Sequence, residues 1–312
     1  MNRYVVVILL FSCIIITCGQ NEHSLNVSHL DKKLQKHHFD IVNELHKPFI
    51  DLVKIHQTFH PGGPGDWYAN KQEPGQTFYE YKQRKKNEAW TTIYIQKIGQ
   101  FSPEQEKIVT LVTRYIGAFF QVPVKFTKPI PLEKISPKAR RVHPSWGDKQ
   151  IHTKYILRKI LRPRRPKDAI AYIALTSYDL YPRASWNFVY GQASLVNRVG
   201  VFSMYRNGDP AESKEMFRLC FSRTAKTATH EIGHMLGIRH CIAFDCCMNG
   251  SNNRSESDKH PLWLCPMCLN KVNWFLPFNI TKRYDELATI LESLGLNQQK
   301  FLRKSIKLLD GK

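Results

Sequence analysis

The clearest pattern in the chain is an unbroken apolar run, Ala169-Ile-Ala-Tyr-Ile-Ala-Leu-Thr176. Eight residues without a charge fit a strand in the middle of a sheet covered on both faces. Thr91 to Ile98 is β-branched and aromatic and predicts a second strand, and Val122 to Phe126 a shorter one. Between them, Ser102-Pro103-Glu104-Gln105 reads as a helix start, with a serine cap, proline in the first turn and glutamine three on. That helix should run to about Phe120. Lys149 to Leu161 carries Ile151, Tyr155, Ile156, Leu157, Ile160 and Leu161 at helical steps, predicting a helix that ends at Pro163. Trp186 to Tyr205 holds two β-like runs parted by a turn at Val196-Asn197-Arg198. Helices follow at Glu212–Cys220, Ser222–Leu236, Lys282–Leu294 and Gln298–Leu309. Helices and strands alternate, which points to α/β layering.

Upstream the pattern is helical and more polar. Leu30, Leu34, Ile41, Val42, Leu45, Phe49, Leu52 and Val53 recur mostly at three- and four-residue steps, with Pro48 set to kink or split the helix. His60 to Gly65 is a loop by composition, and the aromatic-rich Asp66 to Gln83 reads as irregular structure packed on the main domain. Residues 1–19 stand apart. A basic Asn2-Arg3 precedes a charge-free apolar run from Tyr4 to Thr17, and small Thr17 and Gly19 precede Gln20. The run is short for a membrane span and fits a signal peptide, hence a secreted protein. An uncleaved membrane anchor is the alternative, and a lipid-modified Cys18 ranks below it. The expected organisation is a signal peptide at 1–19, an N-terminal helical and irregular extension at 20–89, and a catalytic domain with C-terminal helices at 90–312. Sequons lie at Asn26, Asn249, Asn253 and Asn279, the second inside the cysteine-rich stretch described below.

Charge changes the picture modestly. Lys and Arg total 46 against 26 Asp and Glu, a formal +20. The cations form patches at Arg84-Lys85-Lys86, Lys138 to Arg141 and Arg158 to Lys167. A solvated positive face is the plain reading; acidic surfaces or glycans are the partners such patches would take. No nucleic-acid motif accompanies them, so no specific nucleic acid is expected. A monomer acting on a peptide or protein substrate is the simplest expectation.

The chemistry concentrates between His230 and Cys268. His230 and His234 sit four apart, so on a helix both project from one face and suit a single metal. Glu231 lies beside them and can reach a metal-bound water as general base. Gly237 permits a sharp turn, and His240 can swing back as third ligand. Three neutral histidines on zinc leave an open position, the arrangement of a hydrolytic centre. Without the signal segment six cysteines remain: Cys220, Cys241, Cys246, Cys247, Cys265 and Cys268. Cys265-Pro-Met-Cys268 is half of a zinc knuckle, and Cys241 with Cys246 would complete a closed structural site, with Cys247 as the alternative to Cys246. Disulfides and a redox-active Cys-Pro-x-Cys are the competing readings. Two zinc ions per chain are therefore expected, one catalytic and one structural.

The string HEIGHMLGIRHC, then Cys246 and Met248, then CPMC, resembles the archaemetzincins, metzincin-type zinc metallopeptidases with a second, four-cysteine zinc site. Arg164 to Ala169, Ala174 to Leu180, Trp186 to Ser194 and Gly200 to Ser203 are also similar to segments of the animal members, so the resemblance spans roughly residues 65 to 280. It implies an α/β (α+β) metzincin-like zincin fold: a mixed twisted sheet, an active-site helix, an edge strand that takes extended substrate, and a C-terminal subdomain stapled by the cysteine site. It makes Met248 the Met-turn residue beneath the catalytic zinc. The function implied is peptide-bond hydrolysis by Glu231-assisted attack of a zinc-bound water, with aminopeptidase activity an option that the family alone suggests. The alternative is a catalytically weak, zinc-containing secreted binding protein using the basic patches. No tyrosine follows Met248 before Tyr284, which leaves Asn187 and the backbone of the Gly191 to Val201 region as oxyanion candidates.

Overall fold

The computed structural model describes residues 27–311. Residues 1–19, expected to be a signal peptide, with Cys13 and Cys18, and the Asn26 sequon lie outside the described residues. No described helix is long and apolar enough to cross a membrane.

Helix α1 (Lys32–Asn43) is capped by Asp31, whose carboxylate accepts the Leu34 N–H at 2.9 Å. Pro48 does divide the amphipathic stretch: α2 (Phe49–Leu52) follows it after a break. Asp66 to Gln83 is not irregular. It forms two short helices, α3 (Trp67–Lys71) and α4 (Phe78–Lys82). Thr77 and Glu80 close a capping box on α4, and Glu44, from the tail of α1, accepts the Phe78 and Tyr79 N–H groups at 2.6 and 2.9 Å. That second cap comes from a residue 34 positions away, so it left no local signal.

Strand β1 (Thr92–Ile98), helix α5 (Pro103–Phe120) with its Ser102–Gln105 capping box, and β2 (Val124–Phe126) follow the sequence pattern closely. Two short strands come next, β3 (Arg140–Val142) and β4 (Lys149–His152). The predicted helix from Lys149 therefore starts late: α6 (Thr153–Tyr155), a π-helical turn at Ile156–Leu161, and α7 (Arg162–Arg164). Its first four residues are taken by pairing with β3 on one side and with β6 (Asp179–Tyr181) on the other. Backbone partners distant in sequence outweigh the helical spacing of one apolar residue, Ile151.

The central strand β5 (Ala169–Thr176) is buried along its whole length. It lies parallel to β1 and to β8 (Val199–Ser203), and β7 (Gly191–Ser194) closes that edge antiparallel to β8. The order of the main sheet is β2-β1-β5-β8-β7. Period-two alternation divides its side chains between two cores. Ala171, Ile173 and Leu175 face α5 and the long helix α8 (Lys214–Met235), whereas Tyr172 and Ala174 face the turn at 156–161. Each buried Ile or Leu contributes roughly 1.5–3 kcal/mol of transfer free energy, which is why this run anchors the fold. The chain ends with α9 (Arg254–Lys259), α10 (Pro266–Phe275), α11 (Ile280–Ser293) and α12 (Gln299–Leu309).

Residues 27–89 share this core: Ile41, Phe49, Leu52, Phe78 and Tyr81 pack in the same cluster as α5, α8 and α10. The segment also clasps the chain beyond His240. His38 Nδ1 and the Phe59 N–H both meet the Ala243 carbonyl, at 2.9 and 3.1 Å.

Candidate active site

The two helical segments expected on either side of Phe221 are one helix, α8, of 22 residues. Ser213 caps it by accepting the Met216 N–H at 3.0 Å. Phe221, Ala225, Ala228 and Ile232 are buried, which seats α8 between α5 and the sheet. The opposite face then presents Lys226, Thr227, His230, Glu231 and His234 to an open cleft of about 750 Å³. Edge strand β7 lines the same cleft through Gly191, Gln192 and Ala193.

The helix stops where the third histidine is needed. Gly237 has φ +85°, and a Cβ there would lie 1.7 Å from Arg84 Nη1. Its N–H bonds the His234 carbonyl at 2.7 Å, and the chain doubles back so that His240 faces the helix. His234 Nε2 lies 2.9 Å from His230 Nε2 and 3.3 Å from His240 Nε2. Each ring is fixed from behind. Nδ1–H of His230 donates to the Cys247 carbonyl at 2.8 Å, that of His234 to Ile238 at 2.7 Å, and that of His240 to Glu73 Oε2 at 3.0 Å. With the proton on Nδ1, three Nε2 lone pairs point at one another. Burial lowers the pKa of all three histidines, so protonation does not relieve the repulsion. A cation does, and tetrahedral zinc with bonds near 2.0 Å would set its nitrogens about 3.3 Å apart. The residues present fit a metal.

Glu231 is half-buried in the cleft wall, and burial pushes its carboxyl up to about 7. Met248 is fully buried under the helix. A Cβ on Gly233 would meet its Sδ at 2.5 Å, so the glycine between the two helical histidines lets the methionine pack directly below them.

Cys241, Cys246, Cys265 and Cys268 form a second, buried cluster whose ligand atoms all lie within 4.8 Å of one another. Cys241 and Cys265 Sγ are 3.7 Å apart, close to the edge of a zinc–sulfur tetrahedron at about 3.8 Å and far from a disulfide at about 2.05 Å. Backbone N–H groups of Met248 and Cys265 point at Cys246 Sγ, and that of Cys268 at Cys265 Sγ. Hydrogen bonds from the neighbouring sulfurs draw Cys241 well down, while burial drives Cys246 and Cys265 up. A divalent cation is what would hold four thiolates together in so buried a site. Cys247 stands apart, its Sγ 3.3 Å from Thr229 Oγ1, and Cys220 lies at the Asn207 and Gly208 carbonyls. All six cysteines of the described residues are unpaired.

The profile of Peptidase family M54 matches residues 163–274, a span that includes both clusters. Human Archaemetzincin-2 is 34% identical over 285 residues, covering 80% of this chain and 77% of the human one. The chain belongs to the archaemetzincin family. Mouse Archaemetzincin-2 is 33% identical over 331 residues, covering 91% of this chain and 90% of the mouse protein. The crystal structure of an archaemetzincin from Methanopyrus kandleri aligns with a TM-score of 0.47 at 24% identity, over 62% of this chain and 98% of that one. This archaemetzincin is a zinc metallopeptidase.

Several residues around the three histidines carried no sequence signal. Glu73 anchors His240, and the Trp67 ring stands edge-on to it at 4.7 Å. Gln76 brackets the turn, bonding the Gly237 carbonyl and the Arg239 N–H. All three lie about 160 residues upstream of the motif, where no spacing rule reaches. Arg84, read as part of a basic patch, instead packs over the Phe275 ring at 5.1 Å and fills the space beside Gly237. His260, outside the motif, lines the cleft, with Nε2 against the Gly250 carbonyl at 3.2 Å. Of the oxyanion candidates, the backbone at Gly191 lines the cleft. Asn187 does not, and its carbonyl accepts from Arg141 and Gln150. Tyr284 is fully buried away from the cleft.

Proposed function

We propose that this archaemetzincin cleaves peptide bonds in an extended substrate laid along β7, with Glu231 moving the proton. The observation that carries the reading is the facing of Glu231 and three converging histidine Nε2 atoms toward the free edge of β7 across one cleft. His230, His234 and His240 would hold a zinc ion, which supplies Lewis acidity and an acidified water. Glu231, raised toward neutrality by burial, is poised to take a proton from the attacking water and return it to the leaving nitrogen. The outer edge of β7 has no strand partner among the described residues and offers backbone donors and acceptors to an incoming strand. Cys241, Cys246, Cys265 and Cys268 would hold a second, structural zinc that ties the loop after His240 to the start of α10.

Among the described residues Glu231 is the one carboxylate in the cleft lining, so none of them there is left to receive a substrate α-ammonium. Cleavage inside a chain or near its C-terminus is therefore the reading the lining favours over an aminopeptidase. Entry into the secretory route through the Tyr4–Thr17 run is part of the proposal, and glycan mass at Asn253 and Asn279 would report it. Both side chains cap helices, whereas Asn249 is buried against the Cys241 and Phe244 carbonyls. The decisive experiment is mass-spectrometric cleavage of a peptide library by wild type and Glu231→Ala. The variant should keep its zinc and lose about 10²-fold or more in turnover. Equal cleavage by both would remove Glu231 from the mechanism.

A further inference from the structure

We infer that the cleft contains a carboxylate-binding subsite built from Lys226 and Arg254, which selects an acidic side chain or a free C-terminus beside the scissile bond. This deepens the peptidase reading and rests on it.

Lys226 lies one helical turn before His230 on the face of α8 that lines the cleft. Its side chain is nearly buried, and its ammonium has a single hydrogen bond, to the Ser257 carbonyl at 2.6 Å. Arg254, at the start of α9, lines the same wall with its guanidinium 3.7 Å above the Tyr190 ring. One of its Nη2–H groups reaches Asn207 Oδ1 at 2.9 Å, while its Nε is buried with no partner.

Neither cation is neutralised. Asp258, the carboxylate that acts on both Lys226 and Arg254, is committed to Arg223 through hydrogen bonds of 3.1, 3.2 and 2.6 Å. Glu256, the other acid of α9, spends its two oxygens on the Trp67 and Asn252 N–H groups. His260 on the same wall is held neutral by burial, at about 4. Holding a buried ammonium beside a partly buried guanidinium, with no carboxylate bonded to either, is costly unless an anion joins them. Burial lowers Lys226 to about 8, so most of it remains charged at neutral pH, and an arriving carboxylate would hold the proton in place. The location decides which anion. Tyr190, under the Arg254 fork, immediately precedes Gly191, the first residue of the edge strand. A side chain or terminus projecting from a strand paired with β7 would reach Lys226 and Arg254 together, and the planar fork of Arg254 suits a carboxylate.

The test uses zinc-loaded full-length protein and two peptide pairs. One pair differs as Glu against Gln at each position flanking the cleaved bond, with both termini blocked. The other is a neutral peptide as free acid against C-terminal amide. Each pair is read for kcat/KM on the wild type, and for binding on Glu231→Ala. The expected result is a preference of about tenfold or more for the charged member of at least one pair, collapsing to near unity in Lys226→Met and in Arg254→Gln. A preference confined to the first pair identifies a side-chain pocket, and one confined to the second a C-terminus pocket. Because each result is a ratio, partial misfolding of a variant lowers both members alike. Equal handling of both pairs by wild type overturns the subsite, as does a preference that survives both substitutions. If no peptide is cleaved, the peptidase reading fails, and the binding ratios alone still decide the subsite.

Discussion

His240 is the one histidine of the converging three whose supporting hydrogen bond comes from a side chain. His230 and His234 lean on the Cys247 and Ile238 carbonyls, which substitution cannot delete, whereas Glu73 Oε2 holds His240 Nδ1 at 3.0 Å. Glu73→Ala should therefore loosen the third ligand while leaving helix α8 intact. Carboxylates behind metal-bound histidines are typically worth 10–100-fold in metal affinity, about 1.4–2.7 kcal/mol. The Glu73 side chain is 39% exposed and the His240 side chain 24%, so solvent screening places this pair at the low end, near tenfold. Glu73→Gln keeps an acceptor oxygen without the charge and should recover most of the loss, at about threefold. Competition for zinc with a chromophoric chelator measures this directly: an ion held by the three histidines should weaken, and one held by the cysteine cluster should not. Wild-type zinc affinity in Glu73→Ala would refute the anchoring role. Equal weakening of both ions would instead mean that the residue supports the fold around α3 and α4.

Two further expectations follow from the same geometry. Cys241 immediately follows His240, and its N–H bonds the Met248 carbonyl at 2.8 Å; Cys265→Ser should therefore cost catalytic as well as structural zinc, measured by metal analysis, and full activity in that variant would show the sites to be independent. His56 is buried, its Nδ1 bonded to the Leu52 carbonyl at 2.8 Å and its Nε2 without a partner, and burial lowers its pKa from 6.5 to about 4. Between those values the unfolded chain takes up a proton that the folded chain refuses, so stability is complete above about pH 6.5 and falls toward pH 4, by about 3 kcal/mol at most from this residue. The difference in urea midpoint between pH 7.5 and pH 5 should shrink in His56→Leu; an unchanged difference would place the pH dependence elsewhere.

What the sequence determined by itself was local. The spacing of His230, His234 and His240 around Gly237 is a rule about one helix and the turn after it, and both are closed by hydrogen bonds within a few residues. The apolar run at Ala169–Thr176 was legible as an interior strand because its eight uncharged residues match the length of a strand covered on both faces. Cys265-Pro-Met-Cys268 was legible because the pair straddles one helix start, where Cys265 accepts the Cys268 N–H. The tertiary structure decided whatever depended on partners far along the chain. Lys149–His152 became a strand because Arg140–Val142 and Asp179–Tyr181 flank it. Asp66 to Gln83 became helical where Glu44 could cap it. Cys246 rather than Cys247 faces the other sulfurs because the chain between His240 and Met248 is clasped by His38, Gln57 and Phe59. Glu73 on His240, and Lys226 beside Arg254, are juxtapositions across 167 and 28 positions. Side-chain spacing encodes neighbours on one helix or strand, and these contacts exist only once separate elements have packed together.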